Sequence, residues 1–132
     1  MSILYVDTSA LLKRVVSEAN SPNVREEFRQ HHLDGDLLVS SSLAWLEVWR
    51  ALRRLQFEDV AAGVSAALSG VGELPLSDGI LRRARKVGTE SLRSLDAIHL
   101  ASALSAGAES LMTFDLRLAQ AADAIGVTVL QP

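Results

Sequence analysis

The 132-residue sequence has no cysteine, which excludes a disulfide framework, a thiolate zinc site and a thiol nucleophile. Aromatic residues make up only 5%, too few for base stacking to dominate contact with a nucleic acid. No apolar run approaches the ~20 residues needed to span a bilayer, so no membrane association is expected. The stretch MSILYVD lacks the basic start and long apolar region of a secretory signal. With the lack of cysteine, this leads to the expectation of a cytoplasmic protein. There is no Gly-rich phosphate loop, no nucleophile elbow and no RNA-stacking motif. The formal net charge of −3 does not advertise nucleic-acid binding, although local patches matter more than the total. Eleven of the thirteen basic residues are Arg, whose planar fork suits phosphate.

What is present is a regular alternation. The runs ILYV (3–6), LLVS (37–40), SLMTF (110–114) and VTVL (127–130) read as strands. Most are continuously apolar, as in a parallel sheet covered on both faces. A fifth run, GELPL (72–76), contains Pro75 and so belongs at a sheet edge. Helices are expected over 9–18, 21–32, 41–55, 57–69, 78–87, 95–106 and 115–125. Ser21, the serine cluster near 41, Ser77 and Ser94 stand as caps, and Gly70, Gly88, Gly107 and Gly126 as stops. Such alternation gives an α/β fold, and the length gives one domain over residues 1–132.

Ligands of open α/β sheets bind beyond the carboxyl ends of the strands. Asp7 ends the first strand and Asp115 follows SLMTF, so both face that edge. Helix 95–106 feeds the strand at 110 through a short loop, so its start, with Asp96, also lies there. Glu47 sits less than two turns into the helix that leaves the strand at 37–40, about 10 Å along its axis at 1.5 Å per residue. Each has an ordinary alternative: Asp7 and Asp115 as helix caps, Asp96 as a partner of a helix dipole, Glu47 as the i,i+3 partner of Arg50. Together they are harder to dismiss. At an effective dielectric of 20, two carboxylates about 5 Å apart repel by about 3 kcal/mol. Protons, arginines or a metal must compensate, and oxygen-only donors suit Mg²⁺ or Mn²⁺. Metal-assisted phosphodiester hydrolysis is the matching chemistry.

Thr8, Ser9 and Thr113 stand beside these carboxylates and either orient them or, for Thr8 and Ser9, cap a helix. His99, one turn after Asp96, is either a satisfied structural histidine or part of the site. Trp45 and Trp49 read as core or subunit interface. Arg50, Arg53, Arg54, Arg82, Arg83, Arg85, Lys86 and Arg93 are solvated helix faces unless they flank the acidic edge, where they would hold a phosphate backbone. A phosphoacceptor receiver domain would need a Lys after its fifth strand, and none follows Lys86. An aspartyl-nucleophile phosphatase would need a second Asp at position 9, which is Ser9.

The ordered set ILYVDTSALL, SSLAWLEVWRALRRL, LRSLDAIHLASAL and LMTFDLRLAQAA resembles the successive motifs of PIN-domain proteins, most closely the VapC-type ribonuclease toxins of toxin–antitoxin pairs. The resemblance covers essentially the whole chain. It implies a three-layer α/β/α fold with a parallel sheet of four to five strands, and Mg²⁺- or Mn²⁺-dependent endoribonuclease activity. It puts the family's four acidic positions on Asp7, Glu47, Asp96 and Asp115, as catalytic residues and metal ligands, with Thr113 as the nearby hydroxyl. It also implies an RNA substrate, a VapB-type antitoxin and a homodimer. The competing expectation is a non-catalytic PIN-like interaction or RNA-binding module.

Overall fold

A computed structural model describes residues 1–132. Five strands, β1 (Ile3–Val6), β2 (Leu37–Ser41), β3 (Gly72–Leu74), β4 (Ser110–Met112) and β5 (Thr128–Leu130), alternate with seven helices. These are α1 (Thr8–Leu12), α2 (Ser21–Leu33), α3 (Ser42–Arg54), α4 (Val60–Ala67), α5 (Asp78–Ala84), α6 (Ser94–Ser105) and α7 (Leu116–Ala124). The strands form one sheet in the order β3-β2-β1-β4-β5, every pair parallel. Tyr5 pairs with Val39 on one side and Leu111 on the other.

Alternation along β1 divides the core. Leu4 and Val6, with Leu38 and Met112, face α1 to α4 and pack with Val24, Phe28, Ala44, Val48, Leu52 and Val64. Tyr5, with Val39 and Leu111, faces the other way, onto Leu100 and Ala103 of α6 and Leu118 and Ala122 of α7. Both faces are thus covered, which is why the strands read as unbroken apolar runs. After β3 the chain crosses back over the sheet to β4. The strand order therefore reverses between β1 and β4, and the crevice at that reversal opens at the carboxyl ends of both strands.

Element boundaries follow local chemistry. Ser41, Asp59, Ser77 and Asp115 each accept a hydrogen bond from a backbone N–H in the first turn of α3, α4, α5 and α7. Gly107 and Gly126, at φ +71° and +86°, end α6 and α7; the left-handed turn there needs no Cβ. Several expectations shift: the helix over 57–69 is confined to Val60–Ala67 and that over 78–87 to Asp78–Ala84. The helix over 9–18 closes after Leu12. Val15 and Val16 follow, and the Arg14 guanidinium stacks 4.1 Å from the Phe28 ring and donates to the carbonyls of Ala67 and Ser69. Ser21 is the first helical residue of α2 instead of its cap, and its hydroxyl donates to the carbonyl of Val16. Arg93, not Ser94, holds the cap position of α6, without a side-chain cap bond. The Pro75 segment does form the edge strand, reduced to Gly72–Leu74.

Candidate active site

Asp7 is fixed by the turn from β1 into α1. Its Oδ1 accepts from the Ala10 N–H at 3.0 Å and from Ser9 Oγ at 2.7 Å, and its Oδ2 accepts from Thr113 Oγ1 at 2.5 Å. The side chain is buried. Burial pushes its carboxyl above the usual aspartate range, against the opposing effect of the hydrogen bonds from Thr113, Ser9 and Ala10. Thr113 also accepts from the Asp115 N–H at 3.0 Å, and Ser9 Oγ accepts from the Phe114 N–H at 2.9 Å. Two hydroxyls thereby tie the end of β1 to the end of β4. Thr8, by contrast, does not touch Asp7; it donates to Glu47 Oε1 at 2.7 Å.

Glu47 reaches the edge from α3. His99 Nε2 lies 2.7 Å from the same Oε1, and Nδ1 of that ring lies 2.7 Å from the Tyr5 hydroxyl. Burial alone would raise the Glu47 carboxyl; the bonds from His99 and Thr8 outweigh it and hold the group below its ordinary value. The surface pairing of Glu47 with Arg50 does not form; His99 takes that place.

Asp115 caps α7 through Oδ1, which accepts from the Leu118 N–H at 3.0 Å. Asp96, in the first turn of α6, accepts no hydrogen bond from any protein group and is half-buried. Its carboxyl is raised by burial first, then by the neighbouring charge of Asp115, with Asp7 and Glu47 adding to the effect. Asp96 therefore feels the charge of the other three expected carboxylates at this edge. Asp96 and Asp115 share a cleft of about 360 Å³ with Arg93, Leu116 and Arg117. No three acidic or histidine side chains stand close enough to make a finished metal cage.

Two participants were not singled out from sequence. Tyr5 reads as an ordinary apolar strand residue until the packing of α6 puts His99 against it. Arg117, two residues after Asp115, was not among the basic residues weighed, although its spacing places it on the same helix start. Arg93 lies in the cleft, whereas Arg50, Arg53 and Arg54 are exposed along α3 outside it.

The family profile described as "PIN domain" matches residues 4–124. Ribonuclease VapC46 of Mycobacterium tuberculosis is 36% identical over 134 residues, covering 100% of this chain and 99% of the relative. Ribonuclease VapC47 of the same species is 31% identical, with 98% and 97% covered. In three dimensions the chain is similar to Mycobacterium tuberculosis VapC20, described as a sarcin–ricin loop cleaving toxin, at TM-score 0.76 and 18% identity, with 98% of this chain and 99% of that one covered. It is also similar to a chain of a toxin–antitoxin complex from Klebsiella pneumoniae, at TM-score 0.69 and 20% identity, with 100% and 98% covered. These likenesses to solved structures support the fold; membership rests on the profile and the sequence relatives, and by both the chain belongs to the PIN-domain family, among the VapC ribonucleases.

Proposed function

We propose that the chain is an endoribonuclease that hydrolyses RNA phosphodiester bonds with the help of Mg²⁺ or Mn²⁺. In this reading it is the toxin of a VapBC-type pair, and its 132 residues act as one unit. The observation that carries the reading is Asp96: a carboxylate with no hydrogen-bonded partner, destabilised as an anion by burial and by Asp115, Asp7 and Glu47. A protein keeps such a charge where a cation offsets it. The donors are all carboxylate oxygens, which suits a hard divalent ion. Mg²⁺ keeps several waters and binds through one or two carboxylates, so a closed cage of side chains is not required.

Asp7 and Asp96 would hold the ion, with Glu47 and Asp115 completing its surroundings. Once bound, it would stabilise charge on the phosphate and acidify a water. The residues do the rest. Ser9 and Thr113 lock the rotamer of Asp7. Arg93 and Arg117 flank the acidic cleft and would bind the phosphates on either side of the scissile one. Hydrogen bonds to the Glu47 and Asp115 carboxylates fall on Oε1 and Oδ1; the second oxygen of each is left to take the proton of the attacking water. Attack at phosphorus breaks the P–O3′ bond, the O3′ takes up a proton, and the products are a 5′-phosphate and a 3′-hydroxyl. The RNA 2′-hydroxyl has no chemical role in this route, so preference for RNA comes from groove shape and contacts. A VapB-type antitoxin and a second copy of the chain are the proposed partners.

The test is cleavage of a labelled RNA by purified protein with Mg²⁺ or Mn²⁺, with and without EDTA, alongside Asp96→Asn. The wild type should cut, EDTA should abolish cutting, and the variant should lose at least about a hundredfold in rate. Cleavage by Asp96→Asn at the parental rate would contradict the assignment.

A further inference from the structure

The contact between Tyr5, His99 and Glu47 joins three elements at the acidic edge: a central strand, a helix of one layer and a helix of the other. His99 is buried, with its ring edge-on to Tyr5 at 5.8 Å between centroids. The direction of each proton in this chain of contacts can be worked out from donors and acceptors. The Ser41 N–H donates to the Tyr5 hydroxyl oxygen at 3.1 Å. The Tyr5 proton is then free to point onward, and the acceptor in reach is His99 Nδ1 at 2.7 Å. The Ser40 and Ser102 hydroxyls also neighbour the Tyr5 oxygen, but Ser40 Oγ is engaged with the Val6 carbonyl and Ser102 Oγ makes no hydrogen bond of good geometry, which leaves the 2.7 Å contact to Nδ1 as the best-formed one. At the other nitrogen, Nε2, the neighbours are acceptors. Glu47 Oε1 is 2.7 Å away, and Thr8 Oγ1, whose own proton goes to that carboxylate, is 3.4 Å away. Every contact is satisfied when Nδ1 is bare and Nε2 carries the hydrogen.

We infer that Tyr5 and His99 are positioning residues of the carboxylate site: the Tyr5 hydroxyl fixes His99 as the Nε2–H tautomer, and that N–H pins Glu47 Oε1, which leaves Oε2 without a hydrogen-bonded partner. Ser41 ends β2 and caps α3, the helix that carries Glu47. The backbone N–H that orients Tyr5 therefore sits at the start of the helix whose carboxylate Tyr5 indirectly orients. This arrangement sets the angle of Glu47 without touching substrate, as outer partners of ion-binding groups do. The inference deepens the ribonuclease reading, because Glu47 matters only if the carboxylates bind an ion.

Two measurements test it, and neither needs RNA cleavage. Long-range ¹H–¹⁵N spectra of ¹⁵N-histidine-labelled protein should show His99 Nδ1 as a bare acceptor nitrogen and Nε2 as protonated. The Tyr5→Phe variant should lose this preference and show mixed tautomers. An Nδ1–H tautomer, a ring protonated on both nitrogens, or an unchanged spectrum in Tyr5→Phe would overturn the inference. Calorimetric titration with Mn²⁺ alone then compares His99→Gln, whose amide nitrogen takes the place of Nε2, with His99→Asn, whose amide nitrogen takes the place of Nδ1. Gln should keep affinity near the parental value and Asn should lose about 10- to 100-fold. Equal affinities, with both variants folded by circular dichroism, would overturn it, since a merely structural histidine would not separate the two amides. Wild-type protein that binds Mn²⁺ with the expected tautomer yet leaves RNA intact would instead count against the ribonuclease reading alone.

Discussion

Asp7 and Asp96 reach the same edge by opposite means. Asp7 is held on both sides: Oδ1 accepts from a backbone N–H and a hydroxyl, and Oδ2 from one hydroxyl, which leaves Oδ2 a lone pair. Asp96 accepts none and bears the charge of its neighbours. The difference predicts how the two respond to neutralisation without metal. Asp96→Asn removes a repelled charge and breaks no bond, so in EDTA at pH 7 it should be more stable than the wild type. The folded protein holds a proton on Asp96 up to a higher pH than the unfolded chain does. That carboxyl therefore supports the fold below about pH 4 and withdraws support as pH rises through its raised value. The advantage of Asn should thus vanish as pH falls toward about 4. Urea denaturation across that range checks it; a variant no more stable than the wild type at pH 7 would show that Asp96 is not repelled. At this scale the sequence was partly legible. Asp7 and Asp115 were recognisable because each directly follows an apolar run. The partnership of Tyr5 with His99 was not, because it joins residues 94 apart in the chain through the packing of α6 on β1. Periodicity reports which face a residue lies on and nothing about which nitrogen of a ring meets which hydroxyl.

Helices and strands were legible where punctuation is strong. Ser41, Ser77, Gly107 and Gly126 mark their boundaries in the structure as in the sequence. The failures lie where tertiary contacts override local signals. The stretch 9–18 has the composition of a helix, but Arg14 is committed to carbonyls at the end of α4, more than 50 positions away, and the helix stops. The end of α3 falls within one residue of its expected place at 55, without the usual glycine. The Phe57 N–H donates to the carbonyl of Leu52 and the Gln56 N–H to that of Arg53, a closing motif that normally carries glycine. Here Gln56 occupies it at φ +57°, the one non-glycine residue with positive φ. Its exposed side chain gains nothing that offsets this conformation. Gln56→Gly should therefore stabilise the protein by about 0.5–1 kcal/mol, read as a rise in thermal midpoint at unchanged activity. A lower midpoint would mean that the glutamine side chain contributes a contact worth more than the backbone strain.

The whole molecule is arranged around the reversal of strand order between β1 and β4. One layer, α1 to α4, brings Glu47; the other, α6 and α7, brings Asp96, His99 and Asp115; β1 brings Asp7 between them. The general rule for parallel sheets put the acidic residues at this crevice before any coordinates. The rule could not foresee that Arg93 and Arg117 would flank the same cleft, giving a chain of net charge −3 a local place for polyanion contact. In the proposed reading the cations at the rim would hold a phosphate backbone and the carboxylates at the centre a metal. The central claim is that carboxylates from both layers close on one divalent ion. Crystals grown with Mn²⁺ and measured for anomalous scattering test it most directly. The account predicts a single strong peak at this crevice, beside the carboxylates of Asp7 and Asp96, and its loss in Asp96→Asn. A peak elsewhere on the molecule, or none at saturating Mn²⁺, would contradict it.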